Sequence, residues 1–358
     1  MAMIDRQRLL TDALENKRLD ALLVTHLPNV RYLTGFTGSA GVLLMGAKKP
    51  IFVTDGRYMS QAHEQVQGAK VMISKGPALD AAAQQIVRLK LTNIGIESDH
   101  MAVSLRSRLA KLLPRNARLK ETSNLVEDIR LVKDAGELAA IERAVHLGAD
   151  IFDAALKTIK PGVRETEVAA ELEYAARHAG AAGMSFDTIV ASGPRSALPH
   201  GVASIARIPE RGFVVLDYGV ILDGYCSDMT RTVHVGRPSS EARRMYNAVL
   251  ESQLAGIDAV GPGALAGDVD YSCRNVLRRA KLDRYFTHST GHGVGLEIHE
   301  NPRLARNQET PLAAGMVVTI EPGVYVEGNG GIRIEDMVAV TEEGCDVLTP
   351  VSKELIIL

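Results

Sequence analysis

Several classes of protein are excluded by what this sequence lacks. It has only three cysteines, Cys226, Cys273 and Cys345, odd in number and far apart. That is not a disulfide framework, and it suits a reducing compartment. No apolar run reaches the ~18 residues a membrane span needs. Neither sign of charge dominates: 41 lysines and arginines against 43 acidic residues leave a formal charge of −2. No nucleic acid and no membrane surface is therefore expected as a partner. The opening stretch, MAMIDRQRLLTDALENKRLD, is polar and helix-like, without the apolar segment of a secretory signal, and a cytoplasmic location is the expectation. There is no G-x-S-x-G elbow, no P-loop and no strand–G-x-G-x-x-G–helix unit.

What is present is a chain of 358 residues, enough for two or three domains with sizeable cores. Residues 1–125 interleave helices with strands. Helices are predicted over 5–18, 56–66, 79–89 and 101–113, and strands at LDALLVTH, VMIS, NIGIES and near Glu121. A hairpin is expected over 39–54. This pattern reads as an α/β domain. Its one unusual cluster, Thr54 to Tyr58 (TDGRY), reads mainly as strand-end and helix-start chemistry, with the border of a substrate cleft as the alternative.

The polar segment 124–133 separates this from a second domain, 126–358. Asp134, with Glu137 three residues on, forms a capping box. It opens a long helix striped by Leu138, Ile141, Val145, Ala149, Phe152, Leu156 and Ile159. Pro161-Gly162 ends that helix, and a second runs over 166–178 to Gly180. Extended segments follow, then a loop with Pro199-His200-Gly201, then an acidic hairpin. The same program repeats: a helix from Ser239 or Ser240 to about Val260, a Gly-Pro-Gly break, a helix over 267–282, a His-bearing segment and a second acidic strand pair. Two α+β halves with acids at corresponding positions suggest a pseudo-twofold domain with its site between the halves.

The first hairpin, Phe213 to Val235, turns at Asp223-Gly224. That turn pairs Leu222 with Tyr225 and Asp217 with Thr230. Asp217 and Asp228 are then diagonal neighbours on one face, with Cβ atoms roughly 7–8 Å apart or less. Two carboxylates aimed at one spot repel and are costly to desolvate, unless a cation lies between them or the face is open to solvent. The same register places Cys226 on that face, where it reads as a small apolar packing residue.

The second half adds His292, flanked by Gly291 and Gly293, which let backbone pass close to another segment. It also adds Glu321, ending an apolar strand before Pro322-Gly323, and Glu335 in IRIED. Arg333, two residues from Glu335 on the same strand face, is the obvious salt-bridge partner for it. Taken jointly, Asp217, Asp228, His292, Glu321 and Glu335 are too many anionic ligands for one divalent ion and suit two. Oxygen-rich ligation with one imidazole favours Mn²⁺, with Co²⁺ or Zn²⁺ as alternatives. Two ions ~3.5–4 Å apart activate a water for hydrolysis.

The segments LDYGVILDGYCSDMTRT, STGHGVGLEIHE, TIEPGVY and GIRIEDMV resemble the pita-bread metallopeptidases, the family of methionyl aminopeptidase, aminopeptidase P, prolidase and creatinase. The resemblance covers about 130–358 strongly. More loosely, through YLTGFTGSAG and TDGRY, it covers a creatinase-like N-terminal domain that the bacterial methionyl enzymes lack. All five ligand positions are filled, unlike creatinase, which uses no metal, or members kept purely for binding. The resemblance implies that Asp217 holds one ion, His292 and Glu321 the other, and that Asp228 and Glu335 bridge them. It makes Glu321 the proton acceptor, His200 and His299 the histidines that contact the peptide, and His288 a residue of the proline-side pocket. Arg333 would orient the site or meet a substrate carboxylate. It implies cleavage of Xaa-Pro bonds by a homodimer, of aminopeptidase P type, with prolidase as the alternative.

Overall fold

The structure, a computed structural model, describes residues 3–46 and 49–358. The chain forms two compact units, Met1–Arg130 and Leu131–Leu358. In the first, the elements run α1 (Met3–Asn16), β1 (Ala21–Val24), α2 (Leu27–Thr34), β2 (Val42–Gly46), β3 (Ile51–Asp55) and α3 (Met59–Gln65). They continue with β4 (Lys70–Ser74), α4 (Ala78–Arg88), β5 (Asn93–Glu97), α5 (Val103–Leu112), β6 (Arg118–Thr122) and α6 (Glu127–Arg130). The six strands make one sheet in the order β4-β3-β2-β1-β5-β6. β2 and β3 pair antiparallel as the expected hairpin, and residues 47–48 between them lie outside the described residues. Leu79, Ala82, Ala83 and Ile86 of α4 are buried at helical spacing and help cover the sheet. Thr54–Tyr58 is strand-end and helix-start structure, as its sequence suggests: the Asp55 carboxylate accepts from the Arg57 amide at 2.9 Å and from its guanidinium.

The second unit opens with α7 (Ala135–Asp150), whose Asp134–Glu137 capping box is formed. The single long helix expected here is broken: α8 (Phe152–Thr158) follows after Ile151. The Tyr218 hydroxyl donates to Gly148 O at 2.8 Å, the carbonyl a continuous helix would offer to the amide of residue 152. Then come α9 (Glu165–His178), β7 (Gly183–Met184), β8 (Ile189–Ser192), β9 (Gly212–Tyr218), β10 (Val220–Leu222), β11 (Tyr225–Cys226) and β12 (Met229–Val235). The second half supplies α10 (Ser240–Asp258), α11 (Ala266–Arg279), β13 (Gly291–Gly293), β14 (Glu300–Leu304), β15 (Val317–Ile320), β16 (Gly323–Val326), β17 (Gly330–Arg333), β18 (Asp336–Val340) and β19 (Cys345–Val347).

The two halves are built alike. The first puts α7, α8 and α9, and the second α10 and α11, before an antiparallel strand trio, β8-β9-β12 in one and β13-β15-β18 in the other, the latter widened by β14 and β19. Leu172 of α9 is buried against Val190, Val214 and Leu216. Val249 of α10 and Val269 and Leu277 of α11 are buried against Val318, Ile320 and Val338.

Both long hairpins are interrupted midway without losing register. In the first, Asp217 faces Thr230 and, past the gap, Leu222 faces Tyr225, as the turn predicts. Asp223 and Gly224 both have positive φ, 50° and 81°, the signature of a tight two-residue turn. The gap falls at Gly219 and at Ser227-Asp228, where a Cβ on Gly219 would lie 1.8 Å from Ser227 O. Beyond it, β10 leaves its sheet and pairs with β7. In the second hairpin β15 pairs with β18 and β16 with β17. Extending either ladder sets Glu321 opposite Glu335, within the gap on both strands.

Candidate metal centre

Asp228, Glu321 and Glu335 all sit in these gaps, where the backbone is released from strict up–down alternation and can turn several acids to one point. Asp217 stays on β9 and His292 on β13. Asp228, His292 and Glu335 each offer a ligand atom within 4.8 Å of the others. His292 Nε2 is 3.6 Å from Asp228 Oδ2 and 3.5 Å from Glu321 Oε1. The solvent-open reading of the aspartates is ruled out, since Asp217 and Asp228 are 7% and 4% exposed.

The glycines beside His292 have a direct reason. A Cβ at Gly291 would lie 1.9 Å from Thr319 O, and one at Gly293 2.1 Å from Asn301 O. β13 is pressed between β14 and β15, and that pressure fixes the imidazole. Its Nδ1 lies 3.0 Å from Gly293 O. A carbonyl only accepts, so Nδ1 carries the proton and the Nε2 lone pair faces the acids. Burial first, then the nearby His299 and Arg303, bring His292 down to about 4.

The carboxylates show the strain of their proximity. Burial, then repulsion from Glu335, Asp217 and Glu321, raises Asp228 well above its ordinary value. Glu335 is raised in the same way, by burial and then by Glu321 and Asp217. Glu321 is pushed up by burial to about 8, with Arg333 opposing and Asp217 adding to the rise. Among these groups stands one native cation, Arg333, 3% exposed. Burial opposes its charge, but Tyr325 and the surrounding acids hold its pKa well above the usual value.

Here the structure corrects the expected pairing. Arg333 is bonded through Nη2 to Asp217 Oδ2, not to Glu335. The chain turns at Ile334-Glu335 between β17 and β18, so alternation does not carry from Arg333 to Glu335. Glu335 instead accepts from Thr230 Oγ1 at 2.7 Å, and Thr230 Oγ1 accepts from Arg333 Nε at 3.1 Å. Arg333 Nη1 donates to Tyr325 OH at 2.6 Å and to Pro199 O at 3.0 Å. The Tyr325 hydroxyl reaches His288 Nε2 at 2.9 Å. Nδ1 of His288 faces Ser289 O at 2.8 Å, so Nε2 is the acceptor. Burial, and after it Arg333, lowers His288 to about 3.

His299 meets the His292 ring edge-on, with centroids 4.4 Å apart. His200 is exposed on the loop after β8, and its charge bears on both His288 and His299. Cys226 is buried among Ile141, Val145 and Val294 as a small apolar residue. Tyr325 and Thr230 carried no sequence signal of a role, being an aromatic and a threonine on apolar strands. Arg303 was passed over too. It faces His292 across the β13–β14 ladder, on the same side of the sheet.

The donor set fits divalent cations. Asp217 Oδ1 is buried without a hydrogen-bond partner, the His292 lone pair points at carboxylates, and four acids face one guanidinium. A cation removes all three costs at once.

Comparison with known proteins accords with this geometry. Residues 139–342 match the metallopeptidase family M24, and residues 6–132 the creatinase/prolidase N-terminal domain. The chain belongs to family M24: it is a metal-dependent peptidase with a creatinase-type N-terminal α/β domain and a pita-bread catalytic domain. It is 43% identical to the solved Xaa-Pro dipeptidase of Bacillus anthracis, with a TM-score of 0.97 and 100% of both chains covered. It is 37% identical to the Xaa-Pro dipeptidase of Pyrococcus horikoshii, over 99% of each chain. The X-Pro aminopeptidase structure of Thermotoga maritima is 35% identical, with a TM-score of 0.89 over 95% of this chain and 98% of that one.

Proposed function

We propose that this chain hydrolyses the peptide bond before proline in Xaa-Pro dipeptides, a prolidase activity. The observation that carries the hydrolytic reading is the convergence of Asp228, His292 and Glu335 to within 4.8 Å, with Asp217 and Glu321 completing the set. Proline specificity rests on full-length similarity to named Xaa-Pro dipeptidases. The same comparisons favour dipeptidase over the aminopeptidase P activity expected from sequence. Proline suits such a site because its amide lacks an N–H, and a pocket that never demands that proton accepts the ring without an unmet partner.

Asp217, Asp228, His292, Glu321 and Glu335 are the proposed ligands, and the oxygen-rich set suits Mn²⁺. Divalent ions there would acidify a water and polarise the scissile carbonyl. Glu321 is the proposed proton acceptor. His299, edge-on to His292, and His200 are the proposed peptide-holding residues, and His288, steadied by Tyr325, is proposed for the proline side. Arg333 is fully engaged with Asp217, Thr230, Tyr325 and Pro199, so it serves the site's frame and does not meet the substrate carboxylate. Arg303, exposed and paired with His292 across the β13–β14 ladder, is the candidate to bind the free carboxylate of a dipeptide.

Turnover of Ala-Pro and of Ala-Pro-Ala, with and without thorough chelation, tests this. Dipeptide cleavage that vanishes on metal removal and returns with Mn²⁺ is the expected result. Preferential tripeptide cleavage would move the assignment to aminopeptidase P, and activity persisting without metal would defeat the mechanism. Arg303→Gln is expected to raise KM for the dipeptide about tenfold or more, as loss of a charged hydrogen bond implies. Unchanged KM would remove Arg303 from the site.

A further inference from the structure

Glu165 is the first residue of α9, and it is fully buried, with 0% exposure. An ionised carboxylate so placed is expensive unless every lone pair is met, and here each is. Oε1 accepts from the Ser192 amide at 2.8 Å and the Ser192 hydroxyl at 2.9 Å. Oε2 accepts from the Ser204 amide at 3.1 Å, the Ser204 hydroxyl at 2.8 Å and the Arg195 guanidinium. These donors belong to one segment. Ser192 ends β8, Arg195 lies in the 3-10 turn Gly193–Ala197, and Ser204 lies further along the connection to β9. One side chain thus ties the segment on both sides of Pro199 and His200.

The opposite side of this loop is held by the strand that bears Arg333. Ser196 Oγ accepts from the Gly331 amide at 2.8 Å, and Pro199 O accepts from Arg333 at 3.0 Å. His200 itself is exposed and its ring has no such restraint among the described residues, so its position depends on the loop's.

We infer that Glu165 is a positioning residue for His200: its carboxylate sets the loop that presents the imidazole to the peptide. This rests on the proposed role of His200 in holding substrate. The alternative, that Glu165 merely stabilises the fold, predicts independent effects of the two residues.

A double-mutant cycle on the metal-loaded enzyme separates these possibilities. His200→Ala is expected to lower kcat/KM for an Xaa-Pro dipeptide by about 100-fold or more. Glu165→Gln is expected to lower it by about 10- to 100-fold through misplacement, with metal content unchanged. The double variant should be no slower than His200→Ala alone. Multiplied losses in the double variant would overturn the positioning role while leaving His200 in place. Wild-type activity in His200→Ala would remove the role of His200 and this inference with it, yet metal-dependent dipeptide cleavage would stand. Should Glu165→Gln fail to fold, Ser204→Ala, which deletes one hydroxyl donor, enters the same cycle with the same readings.

Discussion

Thr230 shows how little of a buried site is visible one residue at a time. Its hydroxyl donates to Glu335 and accepts from Arg333, so one small side chain sets the spacing between a candidate ligand and the buried guanidinium that faces the acids. Thr230→Val keeps the shape and deletes both bonds. It is expected to weaken metal affinity or activity by about 10- to 100-fold, read by metal titration and by kcat/KM. Unaltered values would show that Glu335 is held by other means. The acids and His292 were legible as residues because acids in apolar strands and a histidine between glycines are conspicuous. The partner of Arg333 was not legible, because alternation predicts Glu335 and a two-residue break redirects it to Asp217.

At the scale of elements, local rules placed most helices and strands. The Asp134–Glu137 box, the Ser239 cap and the Asp223-Gly224 turn all formed as their chemistry requires. α2 was overlooked, although Pro28 at its start and left-handed Gly35 at its end were the available signals. In the first unit, β1 and β5 are joined through Asp20, whose Oδ2 accepts from the Thr92 amide at 2.7 Å, its hydroxyl at 2.9 Å and the Asn93 amide at 2.9 Å. Burial pushes this carboxyl up, but those bonds and Lys120 outweigh it and hold it below its ordinary value. A lowered folded value means that the stabilisation is complete above the unfolded pKa, about 3.9, and is lost as pH falls through the folded one. Asp20→Asn is therefore expected to cost about 1 kcal/mol at neutral pH. The gap from wild type should close in acid, as read by denaturant melts across pH. A gap constant down to pH 2 would show that charge plays no part.

For the molecule as a whole, the gathering of buried acids at one point is an unfavourable proximity that cations relieve. Binding to the folded state alone stabilises it by about 2.7 kcal/mol at a hundredfold excess over Kd. Saturating Mn²⁺ is accordingly expected to raise the thermal midpoint of metal-stripped protein. It should also slow amide exchange in the strands around Asp217, His292, Glu321 and Glu335. An unchanged midpoint and exchange pattern would show that these residues do not form a metal site.

Read alone, the sequence indicated most of the element order, the α/β and α+β organisation, the register of the first hairpin and the acids and histidines that are candidates for the site. Those properties follow from contacts a few residues apart: caps, turns and the alternation of a pleat. Only the tertiary structure decided which acid faces Arg333, that Glu321 and Glu335 stand opposite each other, and that Thr230 and Tyr325 join the centre. Each of these depends on where a ladder is interrupted and on which distant strand crosses it. That is settled by packing between the two sheets, which no local pattern encodes.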